Sequence, residues 1–230
     1  MSSPPPPSTS PTGHPVEAGE PALSSTTARR RKPRKGDLTA QAILDTAERL
    51  LESRPLDEIA VDELTTGAGI SRSTFYFHFE SREAVLYTLA ERIADDLYRS
   101  AVVWLRRGGE TPATAIRRAI ESTMLLWRQH GAVLRAAIRG RDADPHLRRF
   151  WGEVGRRFID STAEQIESER AAGLALPGPP SARALATVLV TMNEQACFNQ
   201  TLTRKSTETD AELVDTMTTI WLRAVYGATA

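Results

Sequence analysis

The stretch GAGISRSTFYFHF, Gly67 to Phe79, gathers two glycines, three hydroxyl side chains, four aromatic rings, an arginine and a histidine into thirteen positions. Glycine at 69 suits a tight turn because it reaches positive φ without a Cβ clash. Upstream, IAVDELTTGAG reads as a short helix that ends at Gly69. Downstream, SRSTFYFHF reads as another, with Ser71 as its N-cap. Two short helices joined by a turn form a helix-turn-helix. Leu64, Ala68, Ile70 and Phe75 are spaced to lock the pair together and against a preceding helix, with Phe79 also turned inward. The opposite side then carries Arg72, Ser73, Thr74, Tyr76, Phe77 and His78. A short helix led by small polar residues enters a major groove, where arginine bonds guanine and aromatic edges meet thymine methyls. Tyrosine, serine and histidine bond phosphates.

The flanks extend this reading. Before the motif, LTAQAILDTAERLLESRP places Ile43, Ala47, Leu50 and Leu51 on one helical stripe, and Pro55 ends it. After it, Ser81 caps a long helix with Leu86, Ala90, Ile93, Leu97 and Trp104 on its stripe to about Arg107, where Gly108-Gly109 forms a turn. Further helices follow at Pro112 to Gln129, Ala132 to about Arg139, Pro145 to Ala172, Ala182 to Thr203 and Glu208 to Tyr226. No alternating strand pattern and no internal repeat is legible. The expected fold is all-α, with about nine helices: a helix-turn-helix head over residues 37–80 and a helical bundle over 81–230. Residues 1–36 read as a disordered tail rich in Pro, Ser and Thr, ending in the basic run Arg29, Arg30, Arg31, Lys32, Pro33, Arg34, Lys35.

The 230 residues carry 29 basic and 29 acidic side chains. The balance is uneven along the chain. Residues 1–36 have six positive and two negative charges, a net +4; residues 37–90 have four positive and ten negative, a net −6. The basic run fits an arm on a phosphate backbone or in a minor groove. The acids of the head sit on its first two helices, on faces able to point away from DNA. The single cysteine, Cys197, excludes an intrachain disulfide. No apolar run reaches the ~18 residues of a membrane span. The reading is a cytoplasmic protein, at the nucleoid when bound to DNA.

The histidines lack an HExxH spacing, and CxxC, GxSxG and P-loop patterns are absent. Cys197 beside Phe198 on an apolar helix reads as inert core. The pattern therefore calls for no enzyme, no metal and no cofactor. The rival reading is a helical adaptor for other proteins, with the turn a packing corner and the basic run a solvated linker.

The segment GAGISRSTFYFHFESREAVL resembles the most diagnostic part of the TetR family of transcriptional regulators, and the likeness extends over about fifty residues. The resemblance implies a homodimer on an operator of two half-sites and a small-molecule pocket in the C-terminal domain. It implies groove contacts from Arg72, Ser73, Thr74, Tyr76, Phe77 and His78, and a phosphate contact from Arg82. The sequence departs from the motif at Thr65, where Ala or Gly is usual, and at Asp62, so no contact is assigned to the second helix.

Trp104, Trp127, Trp151, Phe158, Phe198 and Trp221 fall on apolar stripes of the C-terminal half, where rings serve a core or line a pocket. Asn193 shares a face with Leu185 and Leu189, and a buried amide there requires partners. A weaker likeness to one branch of the family, through FWGEVGRRF, LATVLVTMNEQACF and IWLRAVYG, implies a ligand-contacting Asn193. It implies pocket walls at Trp104, Trp127, Trp151, Phe158, Met192, Phe198 and Trp221. Val190 stands where that branch has a second asparagine, and Thr123 where it has an aromatic ring. Apolar stripes at Leu185, Val188, Leu189 and Met192, and at Leu213, Met217, Ile220, Trp221 and Ala224, make the last two helices the dimer candidate or part of the monomer core. A small hydrophobic effector would release a repressor from its operator.

Overall fold

Local capping signals set where each helix begins. A computed structural model describes residues 35–101, 109–202 and 207–227. Helix α1 spans Lys35–Leu51, followed by a 3-10 turn at Leu56–Glu58. Helices α2 (Val61–Ala68) and α3 (Arg72–His78) form the motif, and α4 runs from Arg82 to Ala101. Helices α5 (Pro112–Gly140), α6 (Pro145–Ala171), α7 (Ala182–Leu202) and α8 (Thr207–Tyr226) complete the bundle. Among the described residues all regular structure is helical. Ser71 caps α3 by accepting from the Thr74 amide at 3.2 Å. Ser81 caps α4 through the Ala84 amide at 3.1 Å. Thr111 and Asp144 cap α5 and α6, each with proline in the first turn.

Two elements differ from the sequence reading. Residues 112–140 form one helix with a kink rather than two helices, so the described residues hold eight α-helices. The kink is at His130, whose φ of −116° and ψ of 19° are non-helical. The 3-10 turn at Leu56–Glu58 was not anticipated, since Pro55 reads simply as a stop.

Glu63 joins the start of α2 to Arg54 in the loop after α1. Its carboxylate accepts from the Ala60 amide at 3.0 Å and from Arg54 at 2.6 Å. The Arg54 bond, followed by the Ala60 amide, holds its carboxyl below the usual carboxylate range. At Gly67 the two helices approach so closely that a Cβ would lie 2.4 Å from Thr46 Cγ2. Gly69 ends α2 at φ 66°, the left-handed conformation expected for the turn.

Phe75 is fully buried with Ile43, Leu44, Ile59 and Leu64. Burial of such a ring contributes about 1.5–3 kcal/mol. Ala68 and Ile70 pack partly buried against this cluster, as their spacing requires. The same core continues through Val85 and Leu86 of α4 into α5. Head and bundle are thus joined by continuous packing.

Candidate functional site

The outward face of α3 is built by exclusion. Once Phe75 and Phe79 face inward, the 100° helical step turns Tyr76 and Phe77 out: Tyr76 is 51% and Phe77 84% exposed. A phenyl ring so exposed contributes little to the fold. Arg72 and Ser73 are also exposed, and Thr74 and His78 half-buried. Ser71 Oγ lies 2.8 Å from both Ser73 Oγ and Thr74 Oγ1, which presets the hydroxyl cluster at the helix start.

Arg72 lies 3.4 Å from Asp62 of α2, and both side chains are largely exposed. Asp62 therefore borders the outward face of α3 instead of pointing away from it. Thr65 is buried and donates its hydroxyl to the Asp62 carbonyl at 2.9 Å, which accommodates it at a motif position that favours smaller residues. Glu48 faces the bundle, where its Oε1 is 2.5 Å from His130 Nδ1 at the kink of α5.

Arg82 has a structural role that its sequence position did not reveal. Its Nη1 donates to the carbonyls of Asp57 at 2.9 Å and Ile59 at 3.0 Å, and its Nε to Glu83 at 2.9 Å. The guanidinium fastens the 3-10 turn to the start of α4. Arg29, Arg30 and Arg31 lie outside the described residues. The first turn of α1 is within reach of α3: a Cβ on Gly36 would lie 3.8 Å from His78 Cε1.

The bundle forms a partly open cavity of about 120 Å³ between α4, α5, α6, α7 and α8. A single water needs roughly 10–15 Å³ on this measure, so the space suits an organic molecule. Trp127, Trp151, Phe158, Asn193 and Trp221 line it as expected. Met192 and Phe198 do not; both pack half-buried against the core. They share α7 with Asn193 but lie on other sides of it. Trp104 lies outside the described residues. The sequence reading missed Tyr98, Ser161 and Thr162 among the walls. Ser161 and Thr162 lie one turn from Phe158, and Tyr98 one turn before Ala101, but their polar side chains obscured that signal.

Polar contacts in the cavity are few and directional. Trp221 Nε1 donates to Asn193 Oδ1 at 3.1 Å. Trp151 Nε1 donates to Glu194 Oε1 at 3.0 Å. The Tyr98 and Ser161 hydroxyls are 2.8 Å apart. Because an indole only donates, it fixes the Asn193 amide with its oxygen toward Trp221. Asn193 is half-buried, and Leu185 and Leu189 on its helix are buried. Cys197 is buried, and burial, with the charges of Asp210 and Glu194, pushes its thiol up to about 12. It is protected from nucleophilic chemistry, as its apolar helix implied.

Residues 43–87 match the model of the bacterial regulatory proteins of the tetR family, and residues 116–227 match that of the C-terminal domain of the transcriptional regulator EthR. The HTH-type transcriptional regulator EthR of Mycobacterium tuberculosis is 39% identical over 197 residues, covering 84% of this chain and 89% of that protein. This chain belongs to the TetR family. Its relatives in the EthR branch include the EthR of Mycolicibacterium smegmatis, also 39% identical, with 84% and 88% covered. A TetR-family regulator from Mesorhizobium loti shares the fold at a TM-score of 0.65 and 20% identity, over 84% of this chain and all of that one. A regulator from Saccharomonospora viridis, solved with choline, aligns at a TM-score of 0.63 and 21% identity, over 77% and 92%. The TetR-type chain is a helix-turn-helix transcriptional regulator with an EthR-like C-terminal domain, and the adaptor reading is not favoured.

Proposed function

We propose that this TetR-family chain is a homodimeric repressor that leaves its operator when a small hydrophobic ligand enters the C-terminal cavity. The observation that carries this is the reach of α4. Its N-terminus is tied to the head through Arg82, and Leu97, Tyr98 and Ala101 at its other end wall the cavity. Its 20 residues span about 30 Å. A ligand that moves the cavity end shifts the head at the other. A second connection runs along α5, from Trp127 at the cavity to His130 and Glu48 of α1.

Residues 37–80 act as the DNA-binding domain and 81–230 as the ligand and dimer domain. Arg72, Ser73, Thr74, Tyr76, Phe77 and His78 read the groove. The basic arm at 29–35 binds the backbone, and Arg82 reaches phosphate only if the contacts to the 3-10 turn allow it. Two copies join through α7 and α8. Leu185, Leu189, Met217 and Trp221 are already buried within one chain, so the outward apolar residues Val188, 65% exposed, and Ile220, 40% exposed, remain for a partner. Two reading helices then sit about one or more helical turns of DNA apart, and the ligand acts only through its differential affinity for the two states.

The test is a fluorescence anisotropy titration at physiological salt with DNA from just upstream of this gene against a scrambled duplex. Preference of about 10³-fold or more establishes operator reading. Equal binding to both, given a positive control for the upstream site, rejects it. Removal of residues 1–33 lowers the salt slope by about 0.9 for every phosphate that the arm neutralises. A monomer mass in light scattering at every concentration rejects the dimer. A ligand that fills the cavity and leaves operator affinity unchanged rejects the coupling.

A further inference from the structure

The cavity has one ionisable carboxylate among its described walls, that of Glu194, and no basic side chain. Its Oε1 accepts from Trp151. Its Oε2 has no hydrogen bond among the described residues. The nearest cation, Arg141, is not a wall and stands 3.7 Å from Oε1 with 43% of its side chain exposed. The Glu194 side chain is 35% exposed, so the pair is solvent-screened and Arg141 offsets the carboxylate's charge only weakly, leaving a net negative group at the cavity wall.

Asn193 precedes Glu194 on α7. The Trp221 indole holds its oxygen, so the amide nitrogen is left as donor. The remaining described walls are apolar, hydroxyl or aromatic, and three indoles attract cations through their ring quadrupoles. We propose, on the reading that this cavity is the effector site, that it selects amphipathic amines: an apolar body ending in a protonated nitrogen that docks on Glu194. A carbonyl or ether oxygen beside that nitrogen would accept from the Asn193 amide. Acyl carboxylates are disfavoured, because their head would meet Glu194 with no cation among the described walls to receive it.

Decylamine, 1-decanol and decanoate share a chain and differ in head charge. The whole chain carries 29 basic and 29 acidic residues, so its overall charge does not bias the comparison. Isothermal titration calorimetry and tryptophan quenching should rank the amine above the alcohol and the alcohol above the carboxylate, with about tenfold or more between the extremes. Glu194→Gln keeps an acceptor for Trp151 and removes the charge. It should abolish the amine's advantage over decanol, with folding checked independently by circular dichroism. Decanoate binding as tightly as decylamine overturns the inference. So does an amine preference that survives in folded E194Q. Decanol binding with no preference for the amine leaves the hydrophobic-ligand reading intact and rejects this one. Failure of all three probes to bind rejects both.

Discussion

Phe75 and Phe77 are two residues apart, and their replacement by alanine should have opposite consequences. Phe75 is fully buried in the core of the head, and its ring contacts Tyr76 and Phe79 at centroid distances of 5.4 and 6.2 Å. Removing it deletes core surface and leaves a cavity, a loss of about 3–5 kcal/mol. Phe77 is 84% exposed, so its removal should alter stability by no more than about 0.5 kcal/mol. If Phe77 meets base edges, the same change should weaken operator binding by about 1–3 kcal/mol, or roughly 5- to 150-fold. Urea unfolding followed by circular dichroism reads the first quantity, and anisotropy on the operator reads the second. Phe77→Ala with wild-type operator affinity refutes the groove-facing assignment. Phe77→Ala as destabilising as Phe75→Ala refutes the packing that separates the two rings.

Gly67→Val should destabilise the head by about 1–3 kcal/mol, because the new side chain meets Thr46 at the α1–α2 contact; an unchanged urea midpoint would contradict it. Arg82→Met should lower stability by about 1–3 kcal/mol through the missing bonds to Asp57 and Ile59, with Arg82→Lys recovering part of it; full stability in both variants would leave those bonds without consequence. Glu63 has a depressed carboxyl pKa, so its contribution is present above the usual carboxylate value and is lost as pH falls through the folded one. The Tm difference between wild type and Glu63→Gln should accordingly vanish on acidification, and a difference that grows would reverse the sign. Cys197, with a thiol pKa of about 12, should be alkylated by iodoacetamide at pH 8 about 10²-fold more slowly in the native state than in urea; rapid native labelling would show that the site is open.

The local signals in the sequence were sufficient for the helix-turn-helix itself. Glycine at 69 and serine at 71 act within one turn of themselves, so their roles as helix stop and N-cap depend on no distant residue. The inward and outward sides of α3 followed from the helical step once Phe75 was placed. The all-helical class followed from stripes repeated along the chain. Trp127, Trp151, Phe158, Asn193 and Trp221 stood out as rings and an amide on apolar stripes, but only the family resemblance implied that they line a pocket rather than a core.

Tertiary contacts decided the rest. Whether Met192 or Asn193 faces the cavity depends on how α7 is rotated against α6 and α8, which neighbouring positions on one helix do not encode. Leu185 and Val188 share a stripe, yet one is buried and the other exposed, because α7 packs on a single side. The turn at Leu56–Glu58 is held by Arg82, a residue 25 positions from Asp57 along the chain. The bond between Glu48 and His130 spans 82 positions, and it gives Glu48 a fixed place at the kink of α5. Sequence patterns report forces that act within a helical turn. The partners of a charged side chain, and which of two adjacent residues meets a ligand, are set by chain segments that only the folded packing brings together.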